Sequence, residues 1–218
     1  MNEGRGAAGQ VGAALVLALA VVAVVVVVQG REETAAPVAK PAVCTPPKDT
    51  DAPGYPALCA ALNRPDLASL VGAPGEHALG AHSAGFVSAS AKDGKGHDPA
   101  AEVQLDTYFV RVADNGDLSL RTFTDLLAPT ALPGSVLGHP AAAYADHTMS
   151  LAFNGKTTTT GTGGIARHLV VAKGPREDAG SYEVAVWRSG DGAVDDAAVQ
   201  RVAEAVLPTL QGWVPGQP

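Results

Sequence analysis

Cysteine is scarce in this chain, with two residues among 218. That excludes a zinc-finger array and a disulfide-dense scaffold, both of which need cysteines in sets. Basic residues are outnumbered, 15 against 22 acidic, and the net charge is −7. A general nucleic-acid binder needs a basic face to displace phosphate counterions, so nucleic acid is not an expected partner. There is no Gly-x-Ser-x-Gly turn, no His-x-x-x-His pair and no convincing internal repeat. Loop chemistry is what the chain has in excess. Its 25 glycines and 16 prolines make up nearly a fifth of the residues, against roughly 12% in an average protein. Hydrophobic residues reach 46%, which excludes wholesale disorder. Part of that figure comes from one N-terminal run.

The run is residues 11–28, VGAALVLALAVVAVVVVV, and no charge falls between Gly6 and Gly30. At about 1.5 Å per residue a helix of this length spans roughly 27 Å, close to the ~30 Å hydrocarbon core of a bilayer. It is apolar all round, and half of it is valine. In water that composition invites β-aggregation, whereas in lipid a helix satisfies every backbone group internally. The spacing therefore predicts a short N-terminal tail (1–10) and a transmembrane helix (11–28). A cleaved signal peptide is the alternative. Its apolar region is usually only about 7–15 residues long, and Val28-Gln29-Gly30-Arg31 is a poor cleavage sequence, though Ala35-Ala36 or Ala39 would serve. No cysteine directly follows the run, which argues against a lipoprotein. The positive-inside count is neutral, with Arg5 on one side and Arg31 and Lys40 on the other. The short tail and the two cysteines favour an extracytoplasmic C-terminal domain, so the expected location is the plasma membrane, single-pass, with the membrane itself as first partner.

Residues 29–54 carry Pro37, Pro41, Pro46, Pro47 and Pro53 and read as an extended linker. Cys44 and Cys59 stand fifteen positions apart, one in the linker and one in an apolar helical pattern. A disulfide between them would clip the linker to the folded domain and contribute about 3 kcal/mol in the chain-entropy model. Two unrelated thiols are the alternative. A metal role lacks a histidine cluster at ligand spacing.

The domain proper is expected over 55–214. Tyr55 to Gly72 predicts one bent helix or two short ones, with Asn63 as N-cap before Pro65 and Gly72 as C-cap. Strand signals follow. His82 to Ala91 is weak, and Glu102 to Val112 is strong, with a phase change near Asp106–Tyr108 that suggests a bulge. Asp114-Asn115-Gly116-Asp117 predicts a tight turn, and Phe123 to Ala128 a short helix. Val136–Ala145 and Thr148–Asn154 predict a hairpin hinged at Asp146-His147. Arg167–Lys173 and Tyr182–Arg188 predict a second one. Asp195 caps a closing helix whose Ala198, Val199, Val202 and Val206 share one face, and Pro208 ends or kinks it. Helices flanking short-turned strands make an α+β domain, with an antiparallel sheet and helices packed on one face.

Several phrases carry a resemblance: LCAALNRPDL, AEVQLDTY, VLGHPA, GGIARHLVVA and VAEAVLPTLQGW, together with the apolar run and the linker cysteine. In these the chain resembles an uncharacterised actinobacterial family of single-pass membrane proteins of unknown function. The resemblance runs from the apolar run to Trp213 and implies no catalytic residue. The Cys-Leu helix is also loosely similar to actinobacterial envelope lipoproteins, from which this chain departs by lacking a lipidation cysteine.

No constellation in the sequence assigns chemistry. His139 and His168 fall on predicted strands and could meet on one sheet face, with hydrogen bonds to backbone as the plainer role. Ser135 followed by His139 only imitates a nucleophile turn. Asp191, Asp195 and Asp196 lack calcium-loop spacing. Gly155-Lys156-Thr157 lacks the upstream glycine of a phosphate loop, so no cofactor is expected. The loop holding Lys156, Thr157, Thr158, Thr159 and Thr160 reads as a mobile connection and as a candidate recognition loop. The expected function is a membrane-tethered, non-enzymatic envelope domain that binds a partner protein or an envelope ligand. The rivals are an envelope hydrolase with a His/carboxylate site assembled by folding, and an accessory subunit of a membrane complex. A deep pocket with a Ser–His or Asp–His pair would favour the hydrolase, and a shallow sheet face would favour the binder.

Overall fold

The phase change in EVQLDTYFVRV is a chain reversal. In the computed structural model β1 (Ala78–Ser83) is followed by β2 (Ala100–Leu105) and β3 (Tyr108–Ser119). The register pairs Gln104 with Phe109, so Asp106-Thr107 is a two-residue hairpin loop rather than a bulge. Glu76 holds the loop by accepting from the backbone N–H of Thr107 at 3.0 Å and of Tyr108 at 3.2 Å. The reversal moves the buried set from Ala101, Val103 and Leu105 to Tyr108, Val110 and Val112, because side chains alternate faces along each strand. The structure describes residues 40–84, 98–127, 131–153, 158–190, 192–214 and 216. All belong to one unit, Val38–Pro218. The apolar run 11–28 lies outside them. Among the described residues no helix is long and apolar enough to cross a membrane.

The later strands are β4 (Leu132–Val136), β5 (His139–Phe153), β6 (Thr158–Ala172) and β7 (Gly180–Arg188). Among the described residues seven strands make one sheet in the order β1-β2-β3-β7-β6-β5-β4, with every pair antiparallel. The first three strands meander inward from the β1 edge, and the chain then crosses to the opposite edge and meanders back until β7 closes on β3. The result is an antiparallel α+β domain.

Helices α1 (Tyr55–Leu62) and α2 (Leu67–Leu70) and the closing α4 (Asp196–Val206) cover one face. Leu58, Leu62, Leu67, Val199, Val202 and Val206 meet the strand valines there in a single core. Helix α3 (Leu120–Leu127) lies on the other face, where Leu120 and Phe123 cover Ala142, Val170 and Ala172. The expectation of helices on one face alone is corrected by this element. The crossing from central β3 to edge β4 has to pass over the sheet, and an amphipathic helix buries the apolar end of that surface on the way.

Three local readings change. Asn63 ends α1 as its C-cap and donates from Nδ2 to Ala42 O at 2.5 Å, and Asp66 precedes α2. Gly72 follows α2 with φ +82°, as expected of a C-terminal glycine. Asp114–Asp117 is an irregularity within β3, with Gly116 N–H donating to Asp114 Oδ1 at 2.8 Å. The hairpin hinged at Asp146-His147 does not form. Strand β5 runs through that point with a register shift between His147 and Met149, and pairs along its length with β6. Threonines suit extended backbone, and glycine permits the close contact: a Cβ on Gly163 would lie 2.3 Å from Thr148 Oγ1. Thr158, Thr159 and Thr160 therefore belong to β6, opposite Phe153, Ala152 and Leu151. Lys156 and Thr157 lie outside the described residues.

Cys44 and Cys59 form a disulfide across Cα atoms 6.2 Å apart. Beside it Cys44 makes a parallel bridge to Ala81 of β1, and Thr45 N–H donates to Ala81 O at 2.9 Å. Tyr55 Oη donates to Thr45 O at 2.9 Å. Residues 42–45 are thus fastened to both α1 and the β1 edge.

Candidate functional site

The face not covered by α1, α2 and α4 carries the polar alternates of the central strands. Strand register aligns them in one row. His82 pairs with Glu102, Glu102 with Arg111, Arg111 with Ala185, Ala185 with His168, and His168 with Tyr144. Asp146 and Glu183 flank His168. Their strands position them firmly, because Val103, Val110, Val184 and Val186, all fully buried, hold the same backbone from the opposite face.

His168 is the centre of a network. Its Nδ1 lies 2.8 Å from Glu183 Oε1 and its Nε2 3.0 Å from Asp146 Oδ1. Both contacts are hydrogen bonds together only when each ring nitrogen carries a proton. Tyr144 Oη donates to the same Glu183 oxygen at 2.6 Å, and its ring stacks on His168 with centroids 4.5 Å apart. His168 and Glu183 have side chains only 13% exposed, while Asp146 is 58% exposed, so the network opens to solvent at Asp146. Burial pushes the Glu183 carboxyl up. The hydrogen bonds from His168 and Tyr144, with the positive charges of His168 and Arg111, outweigh it and hold the group below the usual carboxylate range. Burial and the Glu183 charge push Tyr144 far up, which keeps it a donor. Glu102, 3.5 Å from His82, is held above its ordinary value by burial, which His82 and Arg111 only partly offset.

A groove of about 570 Å3 runs over this network. Glu102, Arg111, Asp146 and His168 line it, Trp187 forms a wall, and Ala166 and Ala185 lie low between them. A larger hollow, about 710 Å3, lies between α1 and the segment after α4, and alanines line much of it. Its Arg64 is engaged with Asp66 and with Ala205 O, which leaves that hollow little chemistry. Among the described residues no group of three or more His, Cys, Asp or Glu could hold a metal ion.

The structure separates His139 from His168. Alternation puts His139 on the helix-covered face, 1% exposed, with Nδ1 2.9 Å from Ala172 O and Nε2 2.7 Å from Val214 O. Trp213 stacks on its ring at 4.0 Å. Ser135 is exposed on edge strand β4 and makes no pair with it. Asp195 caps α4 by accepting from Ala197 N–H at 3.0 Å, and Asp196 pairs with Arg167 at 2.8 Å. Asp191 and His97 lie outside the described residues. The residues that sequence reasoning missed are Glu102, Arg111, Tyr144, Asp146, Glu183 and Trp187. Their signal was present as the polar alternates of strands whose other alternates are apolar.

Comparison with curated proteins and with solved structures finds no match. One family model matches residues 2–130, more than half of the chain and including β1, β2, β3 and α3, with Glu102 and Arg111 of the groove. On that match the chain belongs to DUF6215, a family of unknown function.

Proposed function

We propose that this protein is a membrane-tethered, non-enzymatic domain of the actinobacterial cell envelope that binds a partner protein or an envelope ligand. The carrying observation is the groove on the outer sheet face, where a network of paired charges opens to solvent at Asp146. Prearranged polar groups beside an aromatic wall are what a recognition site requires. The tether rests on the apolar run 11–28, and an extracytoplasmic setting on the Cys44–Cys59 disulfide, which persists in oxidising compartments. In this reading the chain is single-pass in the plasma membrane.

The hydrolase reading draws on the carboxylate–histidine contacts around His168. It ranks second because both ring nitrogens already face carboxylates. A general base needs one nitrogen free for the nucleophile. The test is photocrosslinking in intact membranes from a position on the groove rim, Thr148→benzoylphenylalanine, read by mass spectrometry. Recovery of one discrete partner or envelope component, lost with Arg111→Ala, supports the binder. Capture unchanged by Arg111→Ala would reject the groove as its site.

A further inference from the structure

We infer that the groove holds a polyhydroxylated ring, a sugar unit of a glycan, stacked on Trp187. This rests on the reading of the outer face as a binding surface and names what it binds. Trp187 pairs with Phe109 of β3, and the two rings stack with centroids 5.5 Å apart and planes 4° from parallel. One indole face is therefore covered. On its other side lies β6, where the register that pairs Arg167 with Val186 sets Ala166 beside Trp187, and Ala166 in turn pairs with Asp146 of β5. The cross-strand order is Phe109, Trp187, Ala166, Asp146. Among the described residues, the Ala166 methyl is the cross-strand side chain between the indole and the Asp146 carboxylate. Two strand spacings separate their backbones by roughly 9–10 Å, room for one ring standing on edge between them. Ala185 keeps the floor low in the neighbouring row, and all four of Trp187, Ala166, Ala185 and Asp146 line the groove.

The chemistry around this slot selects the occupant. The indole face is apolar and carries the negative side of the ring quadrupole, which favours polarised C–H groups. Asp146 and Glu102 accept hydrogen bonds, Arg111 donates them, and Thr148 at the rim, whose own proton goes to Gly164 O at 3.0 Å, accepts. A sugar ring presents an apolar C–H face and hydroxyls that donate and accept. A free anion would meet the carboxyl groups of Glu102 and Asp146. A free cation would meet the Arg111 guanidinium. A purely aromatic ligand would leave the polar rim desolvated without partners. The volume, about 570 Å3, lies in the range of roughly 300–1,000 Å3 usual for ligand sites, more than one sugar unit needs.

The experiment uses the full chain in a detergent without a sugar headgroup. Soluble oligomers of hexose, N-acetylhexosamine and pentose are titrated by calorimetry and by saturation-transfer NMR, with tetramethylammonium as a cationic probe. The expected result is saturable binding of at least one glycan. Saturation should transfer most strongly to ring C–H protons, and affinity should fall about tenfold or more in Trp187→Ala. Asp146→Asn, an exposed change with little bearing on folding, should weaken the same glycan several-fold, and Trp213→Phe should not. Glycan binding that survives both groove variants overturns the proposal. Tetramethylammonium bound in a Trp187-dependent way, with no glycan bound, overturns the sugar class but keeps the face as a binding surface. Silence from both probes overturns the sugar proposal, while the crosslinking capture decides the binding reading separately.

Discussion

The two faces of the sheet share one backbone and follow different rules. On the face under α1, α2 and α4, Val103, Val110, Val112, Val184 and Val186 are fully buried. There the residues between them on the same strands are irrelevant, and volume and shape decide the packing. One position along each strand, on the outer face, stand Glu102, Arg111, Glu183 and His168. Outside the apolar end covered by α3, burial on that side stabilises nothing by itself, because a desolvated charge costs free energy unless it is paired. The apolar face supplies the stability, and the polar face uses it to hold a charge network in place.

The contrast is sharpest at neighbouring residues. Leu169 faces the core at 4% exposure, and Leu169→Ala should cost about 2–5 kcal/mol in denaturant unfolding. A loss below about 1 kcal/mol would mean that the core tolerates cavities and that the two faces are less distinct than drawn. Removing the clip by Cys44→Ala with Cys59→Ala should cost about 3 kcal/mol, and thiol labelling of the non-reduced wild type should find no free cysteine. Glu183→Gln keeps the shape of the outer network and removes its charge. It should cost about 1–3 kcal/mol, since His168 and Tyr144 lose a charged acceptor.

The same network predicts a pH dependence with a definite sign. The Glu183 carboxyl titrates lower in the folded state than in the unfolded chain. Its stabilisation is therefore fully present above the ordinary glutamate value and is lost as pH falls through the lowered one. Glu102, raised by burial, has the opposite slope: its contribution is present at low pH and lost as pH rises from the ordinary value through the raised one. Thermal melts across the acid range should show a shallower acid decline in Glu183→Gln and a steeper one in Glu102→Gln. Equal slopes in both would refute the assignment.

The smallest effect concerns the β4–β5 turn. Leu137 has φ +49° and Gly138 φ +82°, the paired positive values of a two-residue hairpin turn. A leucine is strained there, and Leu137→Asn should raise stability by up to about 1 kcal/mol. A lower melting temperature would show instead that the leucine side chain contributes a contact worth more than the strain.

Elements whose signal lies within a few residues were legible in the sequence. The closing helix from its Asp195 cap, the β6–β7 hairpin and the α+β class all follow from local period and turn chemistry. The cysteine pair was legible by count and context. The misreadings sit where one local pattern admits two long-range outcomes. A phase change at Asp106-Thr107 fits a bulge or a reversal, and only the pairing of Gln104 with Phe109 decides. The Thr/Gly tract reads as a loop until β5 is present to pair with it. The site was the least legible part. Its row of side chains exists only because β7 docks between β3 and β6, a neighbour relation that no local pattern sets.

The Cys44–Cys59 bond also has a mechanical meaning. Tension on the chain ahead of Cys44 enters the folded domain through sulfur at Cys59, a fully buried residue of α1. Residues 45–58 are bypassed and cannot be paid out as slack. The load falls on a helix packed across β2, so the domain resists being peeled from its first residues and yields only when the core itself gives way.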